Sequence, residues 1–413
     1  MSVAPSPLTM RVRTRPVEDP GRLLDLLPNA RNPLSWVRGT DGLVGWGEVA
    51  RYTGSGAGRI VAADSWWHRF VSRLDIRDEV GGPGTGPVAF ASFTFSSESE
   101  GSVLVVPRVV VGRRDGQAWV TEFAAGDGPS AVRAVRPVRS SGALRYIDGA
   151  APIQRYRAVV AEAIARMRAG ELKKAALAHD LFAQGDTPLD ARFLLAGLAR
   201  RYPTCWAYSV DGLVGATPEL LVRRIGHTVQ SRVLAGTVWP DGREDDLAER
   251  LMDSGKDRVE HAYAVDSLAA ALRPLCAELD VPPEPRVLAL QNVSHLATDV
   301  RGRLYPGSPA SLLQLADAVH PTAAVGGTPT PVALALIDEL EGMDRGRYAG
   351  PVGWVDARGD GELGVALRCA QLEGHFARLF AGCGVVADSD PDVEVREAAA
   401  KLLAVREALE GVG

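Results

Sequence analysis

The chain has 413 residues, of which 46% are hydrophobic and 23% charged, enough apolar material for a sizeable core and too much for a disordered or fibrous chain. A net charge of −5 with no strongly basic stretch argues against a nucleic-acid partner. No apolar run reaches the ~18 residues that a membrane-spanning helix needs, so no membrane partner is expected.

The four cysteines, Cys205, Cys276, Cys369 and Cys383, form no CxxC pair. With no signal-peptide pattern at the start of the chain, they read as reduced thiols of a cytoplasmic protein. Residues 1–150 carry short β-like runs, such as Val103–Val106 and Val109–Val111, between loops rich in Gly and Pro. The Gly81–Gly86 cluster reads as a flexible turn, because it has neither GK[ST] nor a strand–GxGxxG–helix setting. Tyr156, Val159, Val160, Ala163, Ile164 and Met167 follow helical spacing, with Gly170 as the stop and a strand starting at Lys174. Thr187-Pro188 predicts an N-cap followed by Pro at the first helical position. Asp211-Gly212, between Trp206–Val210 and Leu213–Ala216, predicts a hairpin. Residues 244–272 read as one or two helices interrupted near Gly255, and Thr330-Pro331 opens another that ends near Gly342. Strands are expected over 350–356, 362–372 and 375–382, and a final helix from Pro391 to Leu409. Strands and helices come in runs, which predicts an α+β fold with antiparallel sheets.

Among 46 basic residues only four are lysine: Lys173, Lys174, Lys256 and Lys401. Where Arg carries nearly every other positive charge, these four are candidates for work that Arg cannot do, since Lys alone can shed its proton when buried. Two acidic helices also stand out. Asp257 and Glu260 are three residues apart and share a face; Glu394 and Glu397 do the same, with Lys401 one turn further along. Like charges at that spacing destabilise an isolated helix. Either both helices are solvated, or a cation lies between their faces, and oxygen ligands suit Mg²⁺. The histidines show no zinc spacing, and no nucleophile elbow supports a hydrolase triad. Gly326-Gly327 and Gly382-Cys383-Gly384 would let backbone amides approach an anion or would form tight turns.

Taken in order, a series of segments resembles the motifs of the chorismate-utilising enzymes. It begins with Glu171–Leu177, Gly215–Leu221, Leu234–Thr237 and Ser254–His261, and continues with Asn292–Leu296, His320–Pro329 and Arg345–Trp354. Ala366–Ala370, Ala381–Val386 and Ser389–Glu397 complete it, so the resemblance is collinear over roughly residues 150–410. Within the family the chain is most similar to isochorismate synthases. Ala235 stands where aminodeoxychorismate synthases of the lysine-nucleophile type carry Lys, Lys174 where anthranilate synthases usually have Gln, and Ala324 where salicylate and anthranilate synthases tend to have Thr. Departures are Ala323 for Pro, His179 for Arg, and Val238-Trp239-Pro240 for Arg-Pro-Arg, which touch the geometry of the substrate loop.

The resemblance implies an α+β fold of two large antiparallel sheets packed face to face with flanking helices. Residues 1–150 would be a variable N-terminal part and 151–413 the chorismate-binding catalytic region of one structural domain. It implies Mg²⁺-dependent isomerisation of chorismate to isochorismate, with water added at C2 and the C4 hydroxyl lost. Lys174 would be the base and Glu219 the acid, and Glu260, Glu397, Asp257 and Glu394 would hold the metal. Gly236, Thr237, His295, Ala324, Tyr348, Arg368, Gly382, Gly384 and Lys401 would contact the substrate. No amidotransferase subunit is expected. Salicylate synthase and an anthranilate synthase-type subunit are the alternative activities, and the product would feed menaquinone or siderophore formation.

Overall fold

The computed structural model describes residues 10–124, 135–150, 152–238, 247–290, 293–307 and 309–412. Trp239, Pro240 and Asn292 lie outside the described residues, as does the expected helix start at 244. The class is the expected α+β. Among the described residues, twenty-one strands join in one hydrogen-bonded network, and every ladder is antiparallel except that between Met10–Val17 and Leu74–Asp78. The N-terminal region is stitched into the rest: Val88–Ser92 pairs with Pro351–Asp356, Leu34–Arg38 with Trp206–Val210, and Leu144–Asp148 with Lys174–Gly185. One large core holds Trp36, Phe90 and Leu104 from that region together with Val222, Trp354 and Leu363. A second core lies under the helices Ala191–Arg201 and Pro391–Glu410, around Leu194, Leu198, Val405 and Leu409. The four cysteines are free and buried. Among the described residues, no helix is long and apolar enough to cross a membrane.

Most local expectations hold. A helix runs over Ile153–Arg168, burying all six spaced apolar residues. Asp211 and Gly212 both have positive φ, as a two-residue hairpin turn requires. Ser254 separates the helices Leu247–Asp253 and Gly255–Leu272, capping the second through the Asp257 amide. Asp390 caps the last helix through the amides of Asp392 and Val393, with Pro391 at its first position.

Three expectations need correction. The helix expected to open at Thr187-Pro188 starts at Ala191, because Leu189 N still donates to Gly374 O and Asp190 is the residue that caps. The strand expected over 362–372 is two, Gly361–Val365 and Cys369–Glu373. They are broken at Arg368, whose φ of +44° is costly for a residue with a Cβ. The runs at 103–106 and 109–111 form one strand, Ser102–Arg114, that continues through Pro107.

Candidate active site

The strand Lys174–Gly185 pairs along its whole length with Phe376–Val386, putting Ala176 opposite Gly384 and Ala178 opposite Gly382. Thr228–Val238 and Val293–Leu304 form a second ladder in which Thr237 faces His295. The helices Gly255–Leu272 and Pro391–Glu410 bring Glu260 and Glu397 to the space between these ladders. The result is a cavity of about 100 Å³ whose lining includes Glu219, Gly236, Thr237, Glu260, His295 and Ala324. Tyr348, Arg368, Gly382, Gly384, Glu397 and Lys401 complete the expected set that reaches it.

Three expected residues lie behind this lining, each for a visible reason. Lys174 is fully buried, and its Nζ is 3.2 Å from Glu260 Oε1. Glu394 is also fully buried; Lys256 Nζ donates to its Oε1 at 2.5 Å, and its Oε2 has no partner. Asp257 is held by other partners: it accepts from the Ser254 hydroxyl at 2.5 Å and from Thr237 N at 3.3 Å. Lys401 donates to Glu397 Oε1 at 2.6 Å and to Gly382 O at 3.1 Å. Three of the four lysines thus each meet a different carboxylate of the two acidic helices. The fourth, Lys173, lies over the Tyr263 ring.

The electrostatics divide the cavity. Burial pushes the Glu219 carboxyl up to about 8 against the pull of Lys174, Lys401 and Arg368, so it holds a proton near neutrality. Burial, with the neighbouring Glu394 and Glu260 charges behind it, raises the Glu397 carboxyl against the pull of Lys401. His295 is held neutral by burial and by the Arg368 and Lys401 charges. Arg368 Nη2 donates to His295 Nε2 at 3.0 Å, which leaves Nδ1–H to donate to Thr237 Oγ1 at 3.1 Å or Gly236 O at 3.3 Å. Arg368 is 8% exposed, lies over the Tyr202 ring, and has no carboxylate partner among the described residues. A buried guanidinium in that state is a site for an anion. Tyr348 stacks on Phe380 with centroids 5.0 Å apart, and burial raises its phenol.

Two glycines are required by what surrounds them. Gly236 has φ +75° and a Cβ there would lie 2.9 Å from Asp257 Cβ, so glycine lets the helix start approach this strand. A Cβ on Gly384 would overlap the Glu260 carboxylate and come within 3.2 Å of Lys174 Cε.

Sequence reasoning missed the role of Arg345. It is buried in a two-bonded pair with Glu341, and it donates to Val325 O at 3.0 Å and Ala176 O at 2.6 Å, pinning two cavity walls. Glu341 in turn accepts from Ala178 N at 2.8 Å. Arg345 opens one of the family-like segments, and it stands four residues from Glu341 across a helix end, which is the signal the sequence offered for the pair.

Among the described residues, no three His, Cys, Asp or Glu side chains converge as a ready-made metal centre. The donor set nevertheless fits a hard dication that keeps water ligands: Glu260 and Glu397 both face the cavity, and the unpartnered Glu394 Oε2 lies behind them.

A family model described as chorismate binding enzyme matches residues 32–410. The MenF protein of Mycobacterium tuberculosis is 44% identical over 257 residues, which are 58% of this chain and 68% of that relative. The isochorismate synthase DhbC of Bacillus subtilis is 40% identical over 260 residues, or 60% of this chain and 65% of the relative. The matched stretches thus span about two thirds of these relatives' length. The crystal structure of the DhbC protein of Bacillus anthracis superposes with a TM-score of 0.77 at 31% identity, covering 94% of this chain and 99% of that one. With the motifs, the cavity and the fold in agreement, the chain belongs to the chorismate-binding enzymes.

Proposed function

We propose that the protein is an isochorismate synthase, converting chorismate to isochorismate with Mg²⁺ as cofactor, and that its whole length acts as one structural domain. The observation that carries this reading is a buried and protonated Glu219 on the cavity wall whose carboxyl feels the charge of a buried lysine, Lys174, set just behind that wall. Isomerisation by water addition at C2 and loss of the C4 hydroxyl needs one group to take a proton and another to give one.

Lys174 takes a proton from the incoming water. For that its ion pair with Glu260 must part and the ammonium must first pass its own proton to solvent. Glu219, already protonated, donates to the departing C4 hydroxyl so that it leaves as water. One water enters and one leaves, and the product is an isomer. Arg368, oriented by His295, receives the enolpyruvyl carboxylate beside Tyr348. Gly382, Gly384 and Gly236 line the cavity with backbone, and their lack of a Cβ lets Leu177, Glu260 and Asp257 pack directly behind that wall. Lys401 keeps positive charge at the floor through Glu397 and Gly382 O.

Glu260 and Glu397 would hold Mg²⁺, with Glu394 reaching it directly or through water; the ion would offset their crowded charge and bind the ring carboxylate. Asp257 supports the strand end at Thr237 instead. Ala324 presents only a methyl to the cavity, in keeping with isochorismate as the end product. The test is incubation with chorismate and Mg²⁺, followed by chromatography and a pyruvate assay. Isochorismate without stoichiometric pyruvate supports the reading. Salicylate or anthranilate as the main product would replace it.

A further inference from the structure

A second cavity, about 340 Å³, adjoins the catalytic one and shares Pro218, the residue before Glu219, as a wall. Its lining includes Arg38, Arg232, Arg286, Thr204 and Leu288. The two spaces lie on one continuous sheet surface. Arg232 is two residues from Leu234 on the strand Thr228–Val238, so both point to the same side, and Leu234 lines the catalytic cavity. Leu288 stands directly opposite His295 in the next ladder.

The charges in this cleft do not balance. Arg232 and Arg286 share one carboxylate, Asp299, at 2.6 and 2.9 Å. Arg223 takes Glu362 at 3.4 Å. Arg38 has no ion pair among the described residues; its guanidinium lies 4.6 Å from the Trp206 ring centroid. Partial burial, and next the Arg232 charge, lower its affinity for its own proton against the pull of Glu362. Arg232 and Arg38 also act on Cys205, whose thiol touches Arg368 inside the catalytic cavity, so positive charge continues from cleft to site. Guanidinium groups match carboxylates in shape as well as charge.

We propose that the Arg38–Arg232–Arg286 cleft is an outer anion subsite that holds the dicarboxylate substrate at the mouth of the catalytic cavity before it enters. This rests on the reading of the chain as an enzyme acting on chorismate, a dicarboxylate. A site of this kind raises the local substrate concentration without touching the reacting atoms, so it acts on KM and not on kcat.

The experiment measures initial rates with chorismate and Mg²⁺ for the wild type, Arg38→Gln, Arg286→Gln and the double variant. Arg11→Gln, a highly exposed arginine on the far N-terminal strand, is the control for a plain change in net charge. At low ionic strength the double variant should raise KM about fivefold, on the scale of exposed charge pairing. Its kcat and thermal midpoint should stay near wild type, and the KM gap should close in ~0.5 M salt, where the screening length is only a few ångströms. A double variant whose KM matches Arg11→Gln at low salt, or whose loss falls on kcat, overturns the subsite while the enzyme assignment stands. A wild type that turns over no chorismate overturns the assignment and the subsite with it.

Discussion

Lys174 Nζ lies 3.2 Å from Glu260 Oε1, with the lysine fully buried and the glutamate at the cavity wall. The same carboxylate is therefore claimed by the proposed base and by the proposed metal site. Arg at this position would keep the positive charge but could not give up its proton. Lys174→Arg should be nearly as inactive as Lys174→Ala, whereas Lys173→Arg, with its cation over Tyr263, should keep wild-type turnover. Steady-state kinetics with chorismate decide it. A Lys174→Arg enzyme that keeps most of its activity would reduce Lys174 to a fixed charge.

Glu219 offers a pH test with a defined sign. Its carboxyl is raised by burial from an ordinary 4.5 to about 8. As a proton donor it must be protonated, so turnover should fall as pH rises through about 8. The stability effect has the same direction. The folded state keeps this proton where the unfolded chain has lost it, so stability present below pH 4.5 is lost as pH rises through about 8. Glu219→Gln should lower turnover by ~10²–10⁴ with chorismate still bound. Its melting temperature should lack that decline between pH 4.5 and about 8 relative to wild type. A variant that keeps more than about a tenth of the activity would remove Glu219 from the acid role.

Chelation tests the carboxylate cluster. EDTA should abolish activity and Mg²⁺ restore it, and Glu260→Gln or Glu397→Gln should be inactive yet folded. In the metal-free protein Glu397→Gln should lose thermal stability at neutral pH, because it leaves the largely buried Lys401 ammonium without its carboxylate partner. Full activity in excess EDTA would eliminate the metal role.

Much of this site was legible in the sequence because lysine is so rare in it. Three of the four lysines meet the carboxylates that helical spacing had singled out, Lys174 with Glu260, Lys256 with Glu394 and Lys401 with Glu397. Spacing shows which residues share a face, not which way a side chain turns. Asp257 shares a face with Glu260 but is drawn to Ser254 and Thr237, and Lys256 reaches across to the other helix. Backbone strain is equally hidden. The break at Arg368 lies in a run that reads as unbroken strand, and the residue that carries it is the one whose guanidinium meets His295. The Arg345–Glu341 pair escaped for another reason: ionic pairs four residues apart are common on exposed helices, and nothing in the pattern marks this one as buried.

Gly384 and Gly382 lie two residues apart on the strand Phe376–Val386, and alanine should act on them through different links. Neither has a positive φ, so the backbone itself accepts alanine, which lowers the entropy lost on folding. At Gly382 the new Cβ would strike the Leu177 carbonyl, an atom of the paired strand that cannot step aside without opening the ladder. At Gly384 it would strike the Glu260 carboxylate, the free end of a side chain, and press on Lys174 Cε at 3.2 Å. Gly382→Ala should therefore lower the melting temperature markedly. Gly384→Ala should melt close to wild type, lose at least ~10-fold in turnover, and need more Mg²⁺ for half-maximal rate. Thermal unfolding and Mg²⁺-dependent rates, measured on the same two preparations, separate these effects. If Gly384→Ala melts early and keeps wild-type kcat in the surviving fraction, the glycine serves the sheet and not the Lys174–Glu260 pair.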